Sequence, residues 1–269
     1  VSVANGRAVV KYPGAKWRIA DWIISKMPKH KSYLEPFFGS GAIFFKKSPA
    51  PIETINDIDG EIFNLFTTIR NYPEELCRQI EMTPFSRQEY FAAFKPGSNE
   101  IERARKYLVK CWQGHGFRIC YKSGWKNDVA GREKAYAVKY WNQLPGWLMD
   151  IITRLKEAQI ENKPAVELIK RFNRPEVLIY ADPPYLLTTR KMKKQYENEM
   201  TDQDHCKLLE TLIDHKGTVL LSGYDSELYR DYLKDWQVYT KETTAEKGLA
   251  RTEKLWIKST ANMQMGLWG

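Results

Sequence analysis

Near both ends of the chain, short runs of β type are separated by stretches with a helical period, and that alternation narrows the fold more than any other feature. The runs are SYLEP (32–36), IETIN (52–56), AQIEN (158–162), VLIYA (177–181), GTVLLS (217–222), WQVYT (236–240) and KLWIK (254–258). AKWRIADWIISKM (15–27), GEIFNLFTTIRN (60–71) and TDQDHCKLLETLI (201–213) carry the helical patterns. Strands joined through helices need crossovers, so a largely parallel sheet is expected. Thr201-x-x-Asp204 opens the last of these helices as a variant capping box, ahead of Leu208, Leu209 and Leu212. From about 72 to 155 the pattern changes to short helices and a turn-rich patch, GHGFRICYKSGWKNDVAG (114–131). There Tyr121-Lys-Ser-Gly-Trp125 reads as a hairpin tip, with Gly124 at the position that needs positive φ. The expected architecture is an α/β domain interrupted by a basic, mostly helical insertion, with a cleft between the two parts.

Composition matters for what it excludes. The length of 269 residues is ample for a core without disulfides or metals. Cys77, Cys111, Cys120 and Cys206 form no CxxC pair, and four histidines complete no zinc spacing, so reduced thiols and no metal are expected. No segment approaches the roughly 18 apolar residues of a membrane span. The N-terminus lacks the apolar core of a signal peptide, and the expected location is cytoplasmic. The net charge of +9 is concentrated: residues 103–139 hold ten Lys and Arg against Asp128 and Glu133. Tyr107, Trp112, Phe117, Tyr121, Trp125 and Tyr136 lie among them, a pairing of basic and aromatic residues that suits a polyanion with stackable bases. A merely solvated basic face is the alternative.

LEPFFGSGAIFF (34–45) places Gly39 and Gly41 at a strand-to-helix turn, where open parallel sheets dock nucleotide-like ligands. Phe44 stands where a dinucleotide fingerprint has its third glycine, which counts against NAD. No Walker motif occurs. Asp57 follows the next β-like run and can accept from ribose hydroxyls; equally, Asp57 or Asp59 could cap the helix that follows. In KYPGAK (11–16), Lys16 could give a point charge to a ligand carboxylate and Tyr12 a ring face.

VLIYADPPYLLTTR (177–190) puts Asp182, Pro183, Pro184 and Tyr185 at the end of an apolar run. Two prolines fix two φ angles and remove two backbone donors. The exocyclic amine of adenine is a poor nucleophile because its lone pair is delocalised into the ring. The Asp182 carboxylate and the Pro183 carbonyl, both accepting from that NH₂, would hold it as sp³ character develops. Tyr185 offers a ring for stacking. A base within a duplex cannot reach such a pocket and has to be flipped.

KYPGAK, EPFFGSG, NDID, ADPPY and LARTEKLWIK (249–258) follow in order the pattern of the Dam-type (D12 class) DNA adenine-N6 methyltransferases, which the chain resembles along essentially its whole length. The resemblance implies S-adenosylmethionine as methyl donor and an S-adenosylmethionine-dependent, Rossmann-like sheet ending in a reversed strand. It also implies a catalytic domain of residues 1–62 and 156–269, with an inserted target-recognition domain at 63–155. Tyr12, Lys16, Glu35, Phe37, Gly39, Gly41, Asp57, Ile58 and Asp182 are then expected at the donor, and Asp182 to Tyr185 at the base. Arg118, Lys122, Trp125, Lys126, Arg190 and Lys191 are the candidates for contact with double-stranded DNA. The protein is expected to be a monomer in solution, with two molecules on a palindromic site. Relatives often carry an Arg-x-Asn hairpin; here GHGFRICYKSGWKND differs, so no target sequence carries over. N4-cytosine methylation uses the same amine polarisation and stays open, as does an inactive DNA-binding relative. An NAD-linked oxidoreductase leaves DPPY unexplained.

Overall fold

The computed structural model describes residues 8–116, 121–127, 129, 135–189, 197–244 and 250–259, which form two compact units. One holds the described residues of Val1–Trp17, Gly39–Lys46 and Asp59–Glu157, the other those of Arg18–Phe38, Lys47–Ile58 and Ala158–Gly269.

The second unit is built on a sheet. Its strands are β1 (Ser32–Glu35), β2 (Ile52–Asn56), β3 (Gln159–Glu161), β4 (Val177–Ala181), β5 (Val219–Gly223), β6 (Gln237–Thr244) and β7 (Ala250–Lys258). Among the described residues their order is β3-β2-β1-β4-β5-β7-β6. Neighbours from β3 to β5 pair in parallel, and β7 runs antiparallel to both β5 and β6. Each β-like run in the sequence has become a strand, and the sheet has the reversed strand that the resemblance implies. The order reverses between β1 and β4, which is the switch point where open α/β sheets bind ligands.

Alternation along the strands gives the sheet two different faces. Leu34, Ile179, Ala181, Val219 and Leu221 point to one side, where Leu168, Leu208, Leu209 and Leu212 from the helices Ala165–Arg171 and Asp202–Asp214 complete a core. Each such fully buried side chain contributes roughly 1.5–3 kcal/mol relative to exposure. Tyr33, Glu35, Tyr180 and Ser222 occupy the alternate positions and are also buried.

Local signals set the helix ends. Thr201 and Asp204 form the expected capping box, with Asp204 N donating to Thr201 Oγ1 at 3.2 Å and Thr201 N to Asp204 Oδ2 at 3.0 Å. The helix expected over 15–27 is limited to Ala20–Ile24. Its N-cap, Ile19, has no side-chain acceptor for the first N–H groups.

The first unit is helical, with segments Ala42–Lys46, Gly60–Asn71, Pro73–Glu81, Arg87–Ala92, Glu100–Gln113 and Tyr136–Lys156. Asp59, Ser86 and Asn99 cap three of them through their side chains. The helix Tyr136–Lys156 runs for 21 residues and contains Pro145, so it is longer than the short helices expected here. Trp112 and Trp141 donate their indole N–H groups to Val9 O and Thr83 O, each at 2.9 Å. An antiparallel bridge joins Gly114 to Trp125, with His115 N donating to Gly124 O at 2.7 Å. Gly124 is therefore a paired residue without positive φ, contrary to the expectation; Gly116, at φ 70, has it instead.

Replacing Thr201 with alanine removes one half of the capping box and should cost about 1 kcal/mol of stability, read from the denaturant midpoint at unchanged m-value.

Candidate active site at the strand ends

Asp182 follows the last residue of β4, and Ser222 lies near the end of β5. The register pairs Ala181 with Leu221, so these next residues come side by side on one face. Ser222 Oγ donates to Asp182 Oδ1 at 2.7 Å and lies 3.1 Å from the Tyr180 hydroxyl. On β1 the same face carries Tyr33 and Glu35, whose side chains meet at 2.7 Å with the phenol donating. Lys47 and Glu53 form a buried ion pair at 2.5 Å, and the Lys47 ammonium sits 4.2 Å over the Tyr33 ring.

Burial raises the Glu35 carboxyl from the usual 4.5 to about 8. The bond from Tyr33 works the other way, and the charge of Asp182 adds to the rise. Glu35 thus keeps a proton at neutral pH. Tyr180 and Tyr185 are both pushed well above the usual phenol range, by burial first and then by Asp182. They remain donors.

The Pro-Pro corner leads from Asp182 into a fixed ring. Pro183 is buried and Pro184 half-buried. Tyr185 donates to Glu253 Oε2 at 2.8 Å and meets the Tyr224 ring edge-on at a centroid distance of 4.5 Å. It is only 8% exposed. At the end of β2, Asn56 braces two loops: its Nδ2 donates to Pro36 O and Lys163 O, and its Oδ1 accepts from Lys163 N. Asp57 is half-buried, with its N–H 3.4 Å from Glu161 O and its carbonyl accepting from Asn162 Nδ2 at 2.7 Å. The helix cap is Asp59, which accepts from Glu61 N at 2.8 Å, so that alternative for Asp57 falls away. Ile58 is exposed, and Phe37 packs against the core.

Tyr12, Lys16, Gly39 and Gly41 belong to the other unit. Tyr12-Pro13-Gly14-Ala15 forms a turn closed by Ala15 N donating to Tyr12 O, with Gly14 at φ 74. Buried Lys16 donates from Nζ to Gly14 O at 2.7 Å. Gly39 and Gly41 have φ 50 and 66, and a β-carbon on Gly39 would lie 3.0 Å from Tyr12 Cδ1. Only glycine fits both constraints.

Of the DNA candidates, Lys122 is exposed, whereas Trp125 and Lys126 are half-buried. Trp125 packs against Phe85 and under the Arg87 guanidinium. Arg118, Arg190 and Lys191 lie outside the described residues. The local charge surplus is smaller than the linear count, because Arg103 pairs with Glu61 and Arg105 with Glu89 and Glu102. Tyr107 and Trp112 are core residues, on the buried side of their helix, and are not available to stack on bases. Among the described residues no group of three or more His, Cys, Asp or Glu could hold a metal, and no helix is long and apolar enough to cross a membrane.

Sequence reasoning missed Ser222, Tyr180, Tyr224 and Asn56 as neighbours of the site. Ser222 and Asn56 each close a β-like run, which is the one signal they give. Glu253 falls within LARTEKLWIK but had no assigned role.

Residues 12–246 match the family model of the D12 class N6 adenine-specific DNA methyltransferases. The chain is 25% identical over 282 residues to the Type II methyltransferase M1.LlaDCHI of Lactococcus lactis subsp. cremoris, covering 91% of this chain and 90% of that protein. It is 24% identical over 241 residues to the DNA adenine methylases of Salmonella typhi and of Escherichia coli (strain K12), covering 85% of this chain and 84% of each relative.

The raised Glu35 carboxyl has a consequence for stability. Between 4.5 and about 8 the folded state binds more protons than the unfolded one, so this group's contribution is complete at low pH and fades as pH rises through 8. The slope approaches about 1.4 kcal/mol per pH unit for one proton. Glu35→Gln should remove it, so the variant gains stability relative to the wild type between pH 5 and 8 in denaturant titrations.

Proposed function

The chain belongs to the D12 class N6 adenine-specific DNA methyltransferases, and from that premise we propose how its residues divide the work. Its substrate is DNA and its reaction is methylation of adenine at N6. The methyl donor is S-adenosylmethionine, which supplies an electrophilic methyl group on a sulfonium.

Each unit, taken by itself, offers groups whose chemistry suits that donor. Gly39 leaves bare backbone at the strand-to-helix turn, in a cradle that a β-carbon would fill against Tyr12. Asp57 is spared from helix capping by Asp59 and offers a carboxylate for ribose hydroxyls. Lys16 offers an ammonium for the carboxylate of the donor, and Phe37 a ring for its cation. Glu35, protonated at neutral pH, adds no negative charge of its own. Gly41 and Ile58 complete the set as backbone and apolar surface.

The observation that carries the reading is the position of Asp182 beyond the end of β4, beside the switch point and held by Ser222. There Asp182 accepts one hydrogen bond from the adenine N6 amine and the Pro183 carbonyl accepts another. Pro184 keeps that carbonyl from swinging. Both bonds strengthen as the nitrogen becomes tetrahedral, so they favour the transition state over the bound substrate. Tyr185, anchored on Glu253 and Tyr224, is the rigid aromatic surface that receives the flipped base. Catalysis is then positioning and amine polarisation. Residues 63–155 carry target recognition, with Lys122, Trp125 and Lys126 as contacts and Arg118, Arg190 and Lys191 as further candidates. The protein works as a monomer in the cytoplasm, two copies serving a palindromic target.

Asp182→Ala should lower the methylation rate below a tenth of wild type while DNA binding persists, measured by labelled methyl incorporation and by gel shift. Retention of more of the rate removes Asp182 from the centre of the reaction. Asp57→Ala should weaken donor binding by about 1.5–3 kcal/mol, the range for hydrogen bonds to a charged acceptor. Calorimetry on the protein without DNA reads this directly, and unchanged affinity returns Asp57 to a structural role.

A further inference from the structure

We propose that Ser222, backed by Tyr180, is a positioning residue for methyl transfer: it fixes the orientation of the Asp182 carboxylate to which the adenine amine is held. The proposal rests on Asp182 being that acceptor.

The direction of each bond follows from chemistry. A carboxylate only accepts, so the single proton of Ser222 is spent on Asp182 Oδ1 at 2.7 Å. The alternative acceptor for that proton, Ala181 O, lies at 3.5 Å and is the poorer partner. The Tyr180 hydroxyl, 3.1 Å from Ser222 Oγ, then donates to the serine. The result is a chain from phenol to hydroxyl to carboxylate. Tyr180 is 1% and Ser222 2% exposed, so neither donor is exchanged for water. Both stand on strands, and the pairing of Tyr180 with Leu220 and of Ala181 with Leu221 fixes their spacing.

Asp182 needs such a brace. Its side chain projects from the first residue after β4, where ladder pairing has ended, and the second side-chain torsion of an aspartate has a broad, roughly two-fold profile. An acceptor that selects the tetrahedral nitrogen has to be held within roughly 0.5 Å and 10–20° of its working direction. A charge-assisted bond from a buried hydroxyl, itself held by a second hydroxyl, supplies that constraint.

The chain is an anchor and not an exit for the proton that the methylated amine sheds. Its inner end is a buried phenol whose ionisation is opposed by burial and by the charge of Asp182.

The test uses the full-length protein, tritiated S-adenosylmethionine and unmethylated chromosomal DNA, with kcat and KM measured separately. Ser222→Ala should lower kcat at least tenfold, with KM for donor and DNA within twofold of wild type. Ser222→Thr, which restores a hydroxyl, should recover kcat to within threefold. Tyr180→Phe should lower kcat by threefold or more, also at unchanged KM. A Ser222→Ala enzyme with more than half the wild-type kcat overturns the proposal. So does a loss that Ser222→Thr fails to recover and that tracks a fall in melting temperature, because the serine then serves packing alone. Should Ser222→Ala fail to fold, Tyr180→Phe decides: unchanged kcat sinks the idea. Asp182→Ala run alongside separates the premise from the proposal. An active Asp182→Ala enzyme removes the premise; an inactive one beside an unimpaired Ser222→Ala removes only the role of Ser222.

Discussion

The parallel register of β1, β4 and β5 is the constraint on which the site depends. Side chains alternate along a strand with period two, so a shift of one residue would exchange every inward and outward group. The observed pairing of Ala181 with Leu221 and Leu34 with Ile179 sends the aliphatic residues to one face. The same pairing sends Glu35, Tyr180, Asp182 and Ser222 to the other. Core formation and assembly of the polar face are thus one event. The leucines of the helices behind the sheet hold the register, and through it they hold the carboxylates.

That coupling explains how a face with so many polar groups remains folded. The buried polar groups around the site pair with one another: Tyr33 with Glu35, Lys47 with Glu53, Tyr180 with Ser222, Tyr185 with Glu253. Unpartnered, each would cost the full desolvation of its polar atoms. Burial raises the Glu35 carboxyl to about 8, so at neutral pH it is mainly protonated and adds little negative charge beside Asp182.

Much of this was legible in the sequence because it is local. Alternation of β-like runs with helical patterns gave the strand set, Thr201-x-x-Asp204 gave a cap, and EPFFGSG and DPPY marked two strand ends. What escaped is what depends on pairing across the sheet. Nothing in GTVLLS says that its serine will face Asp182, since that needs the β4–β5 register over a separation of 40 residues. Likewise Asp57 and Asp59 are equivalent as cap candidates until the helix start at Gly60 assigns the task to Asp59. The charge surplus of the basic stretch is smaller than its linear count for a different reason: a linear window cannot include Glu61 and Glu89, which belong to other helices and pair with Arg103 and Arg105.

The reversed strand β7 has a consequence in time. It lies between β5 and β6, yet it follows both in the chain. During synthesis β5 therefore emerges long before its outer neighbour, and β6 has no partner until residues 250–258 arrive. An open β5 edge is a template for wrong pairing until β7 covers it. Glu253, the anchor for Tyr185, arrives on that same strand. A nascent chain can thus have its strands β1 to β5 in register and still lack the ring support at the DPPY corner. The outer part of the sheet and the support of that corner therefore form together, on the arrival of one strand.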